Sequence, residues 1–231
     1  ADVSFFENEA LNKAVQHVRD RGSQLHIIGL LGTGGVHSHM NHEKALIELA
    51  KRSGLDRVFV HAFTDGRDTM PRSGLGYLED LEAYMQQLGV GRVATVVGRY
   101  YAMDRDRRWE RTKLAYDALV SGVGEPVPSA RVAIQNSYDQ GVTDEFIKPA
   151  VVVENNQPIT TIREGDSIIC FNFRADRVRQ ITRAFVLQDF DGFARSALQD
   201  LIYVTMTEYE KGLPVEIAFE NDDVSVPLAK V

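Results

Sequence analysis

The stretch that most constrains this chain is Leu25-His26-Ile27-Ile28-Gly29-Leu30-Leu31, which contains no carboxylate, lysine or arginine. An apolar run of this length reads as a strand buried on both faces, and such strands belong to parallel sheets with helices packed above and below. The run ends in Gly32-Thr33-Gly34-Gly35-Val36-His37-Ser38-His39. That turn offers bare backbone N–H groups, two histidines and a serine to whatever lies beyond the strand's carboxyl end.

The remaining chain repeats the pattern. Leu11, Ala14, Val15 and Val18 recur at helical spacing over 6–21, with Asn8 as the cap. A helix beginning near Ser38 to Asn41 runs to Ser53-Gly54, a second strand covers Arg57 to Phe63, and a helix from Ser73 to Leu88 closes at Gly89. A third strand spans Arg92 to Val97, and Asp104 is expected to start a helix that reaches Val120. A further helix is expected over 130–139. Short antiparallel β elements are expected at Val151-Val152-Val153 and Ile159-Thr160-Thr161-Ile162. Ser167 to Phe173 and Leu201 to Thr207 are strands, separated by a helix that has Arg177 in its first turn and ends near Leu187. Alternation of this kind predicts an α/β fold: three α/β/α layers around an open, mainly parallel sheet with some antiparallel pairing. The expected organisation is one domain over 1–231, with its core at about 4–219 and a linker at 220–231.

Composition narrows the function classes. Of the 231 residues, 44% are hydrophobic and 26% charged, with a formal net charge of −7. That balance argues against nucleic acid or an anionic membrane as a partner, and no apolar run approaches the length of a membrane span. The amino terminus lacks the basic start and apolar stretch of a signal peptide, and the single cysteine, Cys170, lies in an apolar run where a thiol acts as a small hydrophobe. The expected setting is the cytoplasm.

In open α/β sheets ligands bind beyond the carboxyl ends of the strands. Those ends carry His37 and Ser38, then Asp65, Arg67 and Asp68, then Arg99 and Arg105, then Arg174 and Arg177. An acidic chain thus sets arginines after three strands, on one edge of the sheet. Arg105 and Arg177 are also placed in the first turns of expected helices, where the helix dipole disfavours a cation by up to about 1 kcal/mol. An anion in front of them resolves the conflict, so the expected ligand is small and polyanionic. His37, His39 and His42, with Asp65, leave a metal site open as an alternative. No phosphate-binding P-loop, nucleophile elbow or complete dinucleotide fingerprint occurs.

Five segments carry a resemblance: Gly34-Gly35-Val36-His37-Ser38-His39; His61 to Asp68; Gly98-Arg99-Tyr100-Tyr101-Ala102-Met103-Asp104-Arg105-Asp106; Phe171 to Arg177; and Val204-Thr205-Met206-Thr207-Glu208-Tyr209. In this order they resemble the cofactor-independent (2,3-bisphosphoglycerate-independent) phosphoglycerate mutases, from about Ser4 to Phe219. Gly32-Thr33 stands where that family has Ser-Asp, which makes the turn more flexible and less negative.

The resemblance implies a division of labour. A phosphatase-like domain, absent from this chain, carries a serine nucleophile and two manganese ions, whereas an inserted domain holds the substrate. This chain resembles the inserted domain, so it is expected to bind 3-phosphoglycerate and 2-phosphoglycerate, to contain no cofactor itself and to be inactive alone. The full enzyme would be an isomerase of glycolysis and gluconeogenesis working by intramolecular phosphotransfer. The matched substrate contacts are His37, Arg67, Asp68, Arg99, Arg105, Arg174 and Arg177. Asp68 is an acid/base candidate and His37 a donor to phosphate. Two rival readings are a stand-alone phospho-metabolite binding or regulatory protein and a metal-dependent hydrolase using His37, His39 and Asp65.

Overall fold

A computed structural model of the chain describes residues 3–220. Residues 221–231, most of the expected linker, lie outside the described residues. A short turn of helix, α1 (Val3–Phe6), leads to α2 (Glu9–Arg21). The Asn8 side chain caps α2 by accepting the Leu11 N–H at 3.0 Å, and Gly22 ends it in a left-handed conformation (φ 58°). Every residue of β1 (Leu25–Leu30) is buried, as its composition requires. Helix α3 (Met40–Arg52) follows, capped by the His39 side chain, and leads to β2 (Val58–Thr64). Helix α4 (Gly74–Leu88) and β3 (Arg92–Gly98) complete the repeat.

The next segment departs from expectation. Asp104 does not start a helix: a short helix, α5 (Arg99–Ala102), is followed by an irregular loop, and α6 runs only over Trp109–Val120. The cause is local, because the Asp104 carboxylate accepts the backbone N–H groups of Asp106 (3.0 Å) and Arg108 (2.9 Å) and holds the chain in a turn. A short strand, β4 (Glu125–Val127), appears where only a turn was expected, before α7 (Ala130–Asp139). Strand β5 (Ala150–Glu154) belongs to the main sheet and not to an excursion from it; it pairs antiparallel with β3 and parallel with β4. Its antiparallel partner beyond the sheet is β6 (Gln157–Pro158), and 159–162 form no strand.

Strand β7 (Ser167–Cys170) stops three residues before the expected end. Helix α8 (Arg179–Val186) therefore begins after Arg177 and does not contain it. Strands β8 (Ile202–Thr205) and β9 (Glu216–Ile217) complete the sheet. Among the described residues the order is β4-β5-β3-β2-β1-β7-β8-β9, with β6 beside β5. Helices α2, α3, α4 and α7 cover one face, and α5, α6 and α8 the other. The first and last described segments meet: Phe5 packs on Phe219 with ring centroids 6.0 Å apart, and Asn8 Nδ2 donates to the Ala218 carbonyl.

A buried polar chain crosses the sheet away from the strand ends. Asp166 accepts from His26 Nε2 (3.1 Å), His26 Nδ1 accepts from His61 Nε2 (3.0 Å), and His61 Nδ1 accepts from Thr95 Oγ1 (2.9 Å). These directions hold when both rings are neutral; a charged His26 would instead donate to His61. Burial pulls the pKa of each histidine down, against Asp166 in the case of His26. The unfolded chain therefore takes up protons below pH 6.5 that the folded chain refuses. Stability is expected to fall as pH drops below that value, by up to about 1.4 kcal/mol per pH unit for each ring. Glu43, a buried glutamate, titrates in the opposite sense, so the test is urea unfolding in the Glu43→Gln background. The midpoint should be lower at pH 5.5 than at pH 7; an unchanged or higher midpoint contradicts the assignment.

Candidate functional site

Strand β1 lies between β2 and β7, and the chain order reverses there. A sheet opens a crevice at the carboxyl ends of its strands at such a point. The loops after β1 and β7 face each other across it, clasped by the His37 carbonyl, which accepts the N–H groups of Phe173 (2.8 Å) and Arg174 (3.3 Å). Ser38, which the sequence offered as a polar group of this turn, donates its hydroxyl to the Leu30 carbonyl and is thereby occupied in closing the turn. Gly32 takes φ 151°, a backbone that a serine there would adopt only with strain.

The loop after β2 is organised by Asp65, which is 3% exposed. Its Oδ1 accepts the N–H groups of Arg67 (3.2 Å) and Asp68 (3.0 Å) and the Arg99 guanidinium (2.6 Å). Arg99, equally buried, also donates to Asp68 Oδ2 at 2.6 Å. Gly98 permits this placement, since a Cβ there would lie 2.5 Å from the Glu145 carbonyl oxygen. Burial alone would raise the Asp68 pKa, but the Arg99 hydrogen bond and the charges of Arg99, His37 and Arg67 outweigh it and hold the carboxyl below its usual range. Asp68 is thus an ionised acceptor.

His37, 4% exposed, sits between two carboxylates: Nε2 is 3.6 Å from Asp68 Oδ2, and Nδ1 is 3.6 Å from Asp176 Oδ1. Burial and the Arg99 charge pull its pKa down despite Asp176 and Asp68. Asp176 is in turn held by Arg105 (2.8 Å) and Arg174 (3.0 Å). Six of the seven residues singled out from sequence are therefore linked through aspartates: Arg99 and His37 through Asp68, and His37, Arg105 and Arg174 through Asp176, with Arg67 docked on the Asp65 turn by its backbone. Asp65 and Asp176 were not among the predicted contacts. The signal for Asp176 was its place between two arginines within one short motif, which the sequence alone reads equally well as surface pairing.

The seventh residue, Arg177, differs from the rest. It makes no ion pair among the described residues; its guanidinium donates only to the Met103 carbonyl, at 3.4 Å. Burial and the like charges of Arg105, Arg99 and Arg67 pull its pKa down. These four arginines line a cleft of about 350 Å³, on whose wall Arg111 stacks over Tyr100 at 3.8 Å. Arg174 lies off this cleft, and His37 and Asp68 line a separate narrow recess that Arg99 joins to it through Asp65 and Asp68. The helix-dipole argument for Arg105 and Arg177 fails, because neither residue is in a helix, yet convergence on the strand ends brings them together.

The histidine metal site is not formed. His39 caps α3 by accepting the Asn41 N–H (3.1 Å), Asp65 is engaged by Arg99, and among the described residues no three His, Cys, Asp or Glu side chains cluster closely enough to hold a metal ion. The metal-dependent hydrolase reading loses its ligand set. Cys170 is fully buried, and burial pushes its thiol pKa up, away from nucleophilic use. A larger cleft of about 580 Å³ lies at the amino ends of the strands, between α4, the start of β3 and α7. Its one arginine, Arg92, is paired with Glu154, and Asp56 and Glu82 make it acidic, so it does not suit a polyanion. No described helix is long and apolar enough to cross a membrane.

Comparison with known proteins places the chain in a family. The 2,3-bisphosphoglycerate-independent phosphoglycerate mutase of Clostridium kluyveri is 57% identical over 219 residues, covering 94% of this chain and 43% of that protein. The protein of the same name from Thermomicrobium roseum is 56% identical, covering all of this chain and 44% of its own length. A crystal structure of Leishmania mexicana phosphoglycerate mutase at low cobalt concentration superposes with a TM-score of 0.85 at 35% identity, covering 89% of this chain and 39% of that one. The chain thus spans less than half the length of these relatives. The family model described as BPG-independent PGAM N-terminus matches residues 1–211, which include the whole arginine-lined crevice, and the chain belongs to that family.

Proposed function

We propose that this chain is the substrate-holding domain of a cofactor-independent phosphoglycerate mutase, gripping 3-phosphoglycerate and 2-phosphoglycerate while another part of the enzyme transfers the phosphoryl group. The observation that carries this reading is Arg177, a half-buried guanidinium with no carboxylate partner among the described residues, sharing a cleft with Arg67, Arg99 and Arg105. Such a cleft has positive charge in excess of its internal pairs, and a ligand bearing phosphate and carboxylate supplies the missing anions through bidentate, charge-assisted bonds. In this reading Asp68, kept ionised, accepts a substrate hydroxyl and takes its proton.

The meeting of Phe5 with Phe219 and of Asn8 with Ala218 supports an inserted domain, whose chain must enter and leave at one place. The two manganese ions and the serine nucleophile belong to the remainder of the enzyme, which is this domain's principal partner. The experiment is an isomerisation assay on the purified chain. With 3-phosphoglycerate and manganese supplied, no 2-phosphoglycerate should form; sustained conversion by the chain alone would contradict the division of labour.

A further inference from the structure

The geometry around His37 points to a role for Asp176 that goes beyond pairing with arginines. We propose that Asp176 is a positioning residue that fixes His37 as the Nδ1–H tautomer, leaving Nε2 as a hydrogen-bond acceptor that recognises a ligand hydroxyl. This deepens the phosphoglycerate reading and rests on it for the identity of the ligand.

A neutral imidazole has one N–H and one lone pair, and here each ring nitrogen faces a carboxylate oxygen at 3.6 Å. The two carboxylates compete for a single proton. Asp68 Oδ2 already accepts the Arg99 guanidinium at 2.6 Å. Asp176 Oδ1 is buried and lies 3.0 Å from Arg174 Nε in an ion pair without an aligned hydrogen bond, and the atom facing it, His37 Nδ1, is buried and unpartnered as well. A closure of about half an ångström turns this facing pair into an N–H···O bond and satisfies both atoms at once. The backbone is suited to that closure, because the His37 carbonyl is held by Phe173 and Arg174, close in sequence to Asp176. The charged groups acting on the ring are Asp68, Asp176, Arg99 and Arg174, and with burial they leave it neutral near pH 7.

With Nδ1 carrying the proton, Nε2 and Asp68 Oδ2 are two acceptors 3.6 Å apart that face each other without a donor between them. An anionic phosphate or carboxylate oxygen is repelled from that point, whereas an O–H group approaching the pair from the side donates to it. Arginines thus read the anionic ends of the ligand, and the His37–Asp68 gap reads its hydroxyl, in place of the donor role that the resemblance implies for His37.

Long-range proton–nitrogen correlation spectra of the ligand-free chain at pH 8 test the tautomer without reference to substrate. The wild-type His37 signal should show a protonated Nδ1 and an unprotonated Nε2. In Asp176→Ala, with Asp68 the remaining acceptor, the proton should move to Nε2. A wild-type Nε2–H tautomer, or the same tautomer in both proteins, overturns the proposal; if Asp176→Ala does not fold, the wild-type spectrum decides alone. The second readout is the ratio of dissociation constants for 3-phosphoglycerate and its analogue lacking the 2-hydroxyl. The wild type should prefer the hydroxylated ligand by about tenfold, the worth of one such hydrogen bond, and Asp176→Ala should bring the ratio near one. Equal binding of both by the wild type overturns hydroxyl recognition. Binding of neither overturns the phosphoglycerate reading and leaves the tautomer result standing.

Discussion

Replacing Arg177 with alanine should weaken binding of 3-phosphoglycerate by about a hundredfold, or about 3 kcal/mol, without lowering the thermal midpoint of the free protein. The two halves of this expectation have one cause. Arg67, Arg99, Arg105 and Arg174 each have a carboxylate within ion-pair distance, but Arg177 has none among the described residues and lies among like charges. Deleting it removes repulsion from the empty cleft, so the free protein holds its stability or gains some. The bound anion loses the one cleft guanidinium that, among the described residues, is not shared with an internal carboxylate, so the affinity falls. Calorimetric titration with paired thermal melts checks both parts. Unchanged affinity removes Arg177 from the site, and a lower midpoint assigns it a structural role.

The second large effect concerns stability. Glu43 on α3 is fully buried and neither of its carboxylate oxygens has a hydrogen-bond partner among the described residues. Burial, opposed only by Lys44, pushes its pKa from 4.5 up to about 8. The folded chain therefore keeps a proton on Glu43 that the unfolded chain releases above pH 4.5. The Glu43 contribution to stability is greatest below that pH, is lost as pH rises toward 8, and levels off beyond it. At pH 7 this costs about 3 kcal/mol. Glu43→Gln keeps the shape and a polar group and removes only the ionisation, so it should raise stability by that amount at pH 7 and hardly change it near pH 4.5. Urea unfolding at the two pH values measures the difference. A destabilised variant at pH 7, or one shifted equally at both, contradicts the buried-acid description.

The sheet was legible because its inner strands follow simple rules. The uncharged run at Leu25–Leu30 gave a doubly buried strand, and Asn8 and Gly89 bound their helices as capping chemistry requires. The errors arose where side chains compete with the backbone or where pairing is long-range. Asp104 reads as a helix cap in sequence, yet its carboxylate ties down Asp106 and Arg108 in a loop and leaves Arg105 outside any helix. The position of β5 between β3 and β4 depends on partners distant in sequence, which no local pattern states. The arginines of the crevice were readable from strand ends alone, because a parallel sheet delivers all of those ends to one edge. The aspartates that organise them were not, since an Asp beside an Arg looks the same in sequence whether it is a surface pair or the hinge of a network. Asp65 and Asp176 show their roles only once burial and distance are known.

The central claim is that the arginine-lined crevice at the β1/β7 switch point binds phosphoglycerate within this chain alone. Amide chemical-shift mapping of the chain during titration with 3-phosphoglycerate tests it most directly. The expected result is saturable change centred on His37, Arg67, Asp68, Arg99, Arg105, Asp176 and Arg177 that weakens as salt is added. The absence of saturable shifts, or shifts centred on the cleft between α4, β3 and α7, would contradict it.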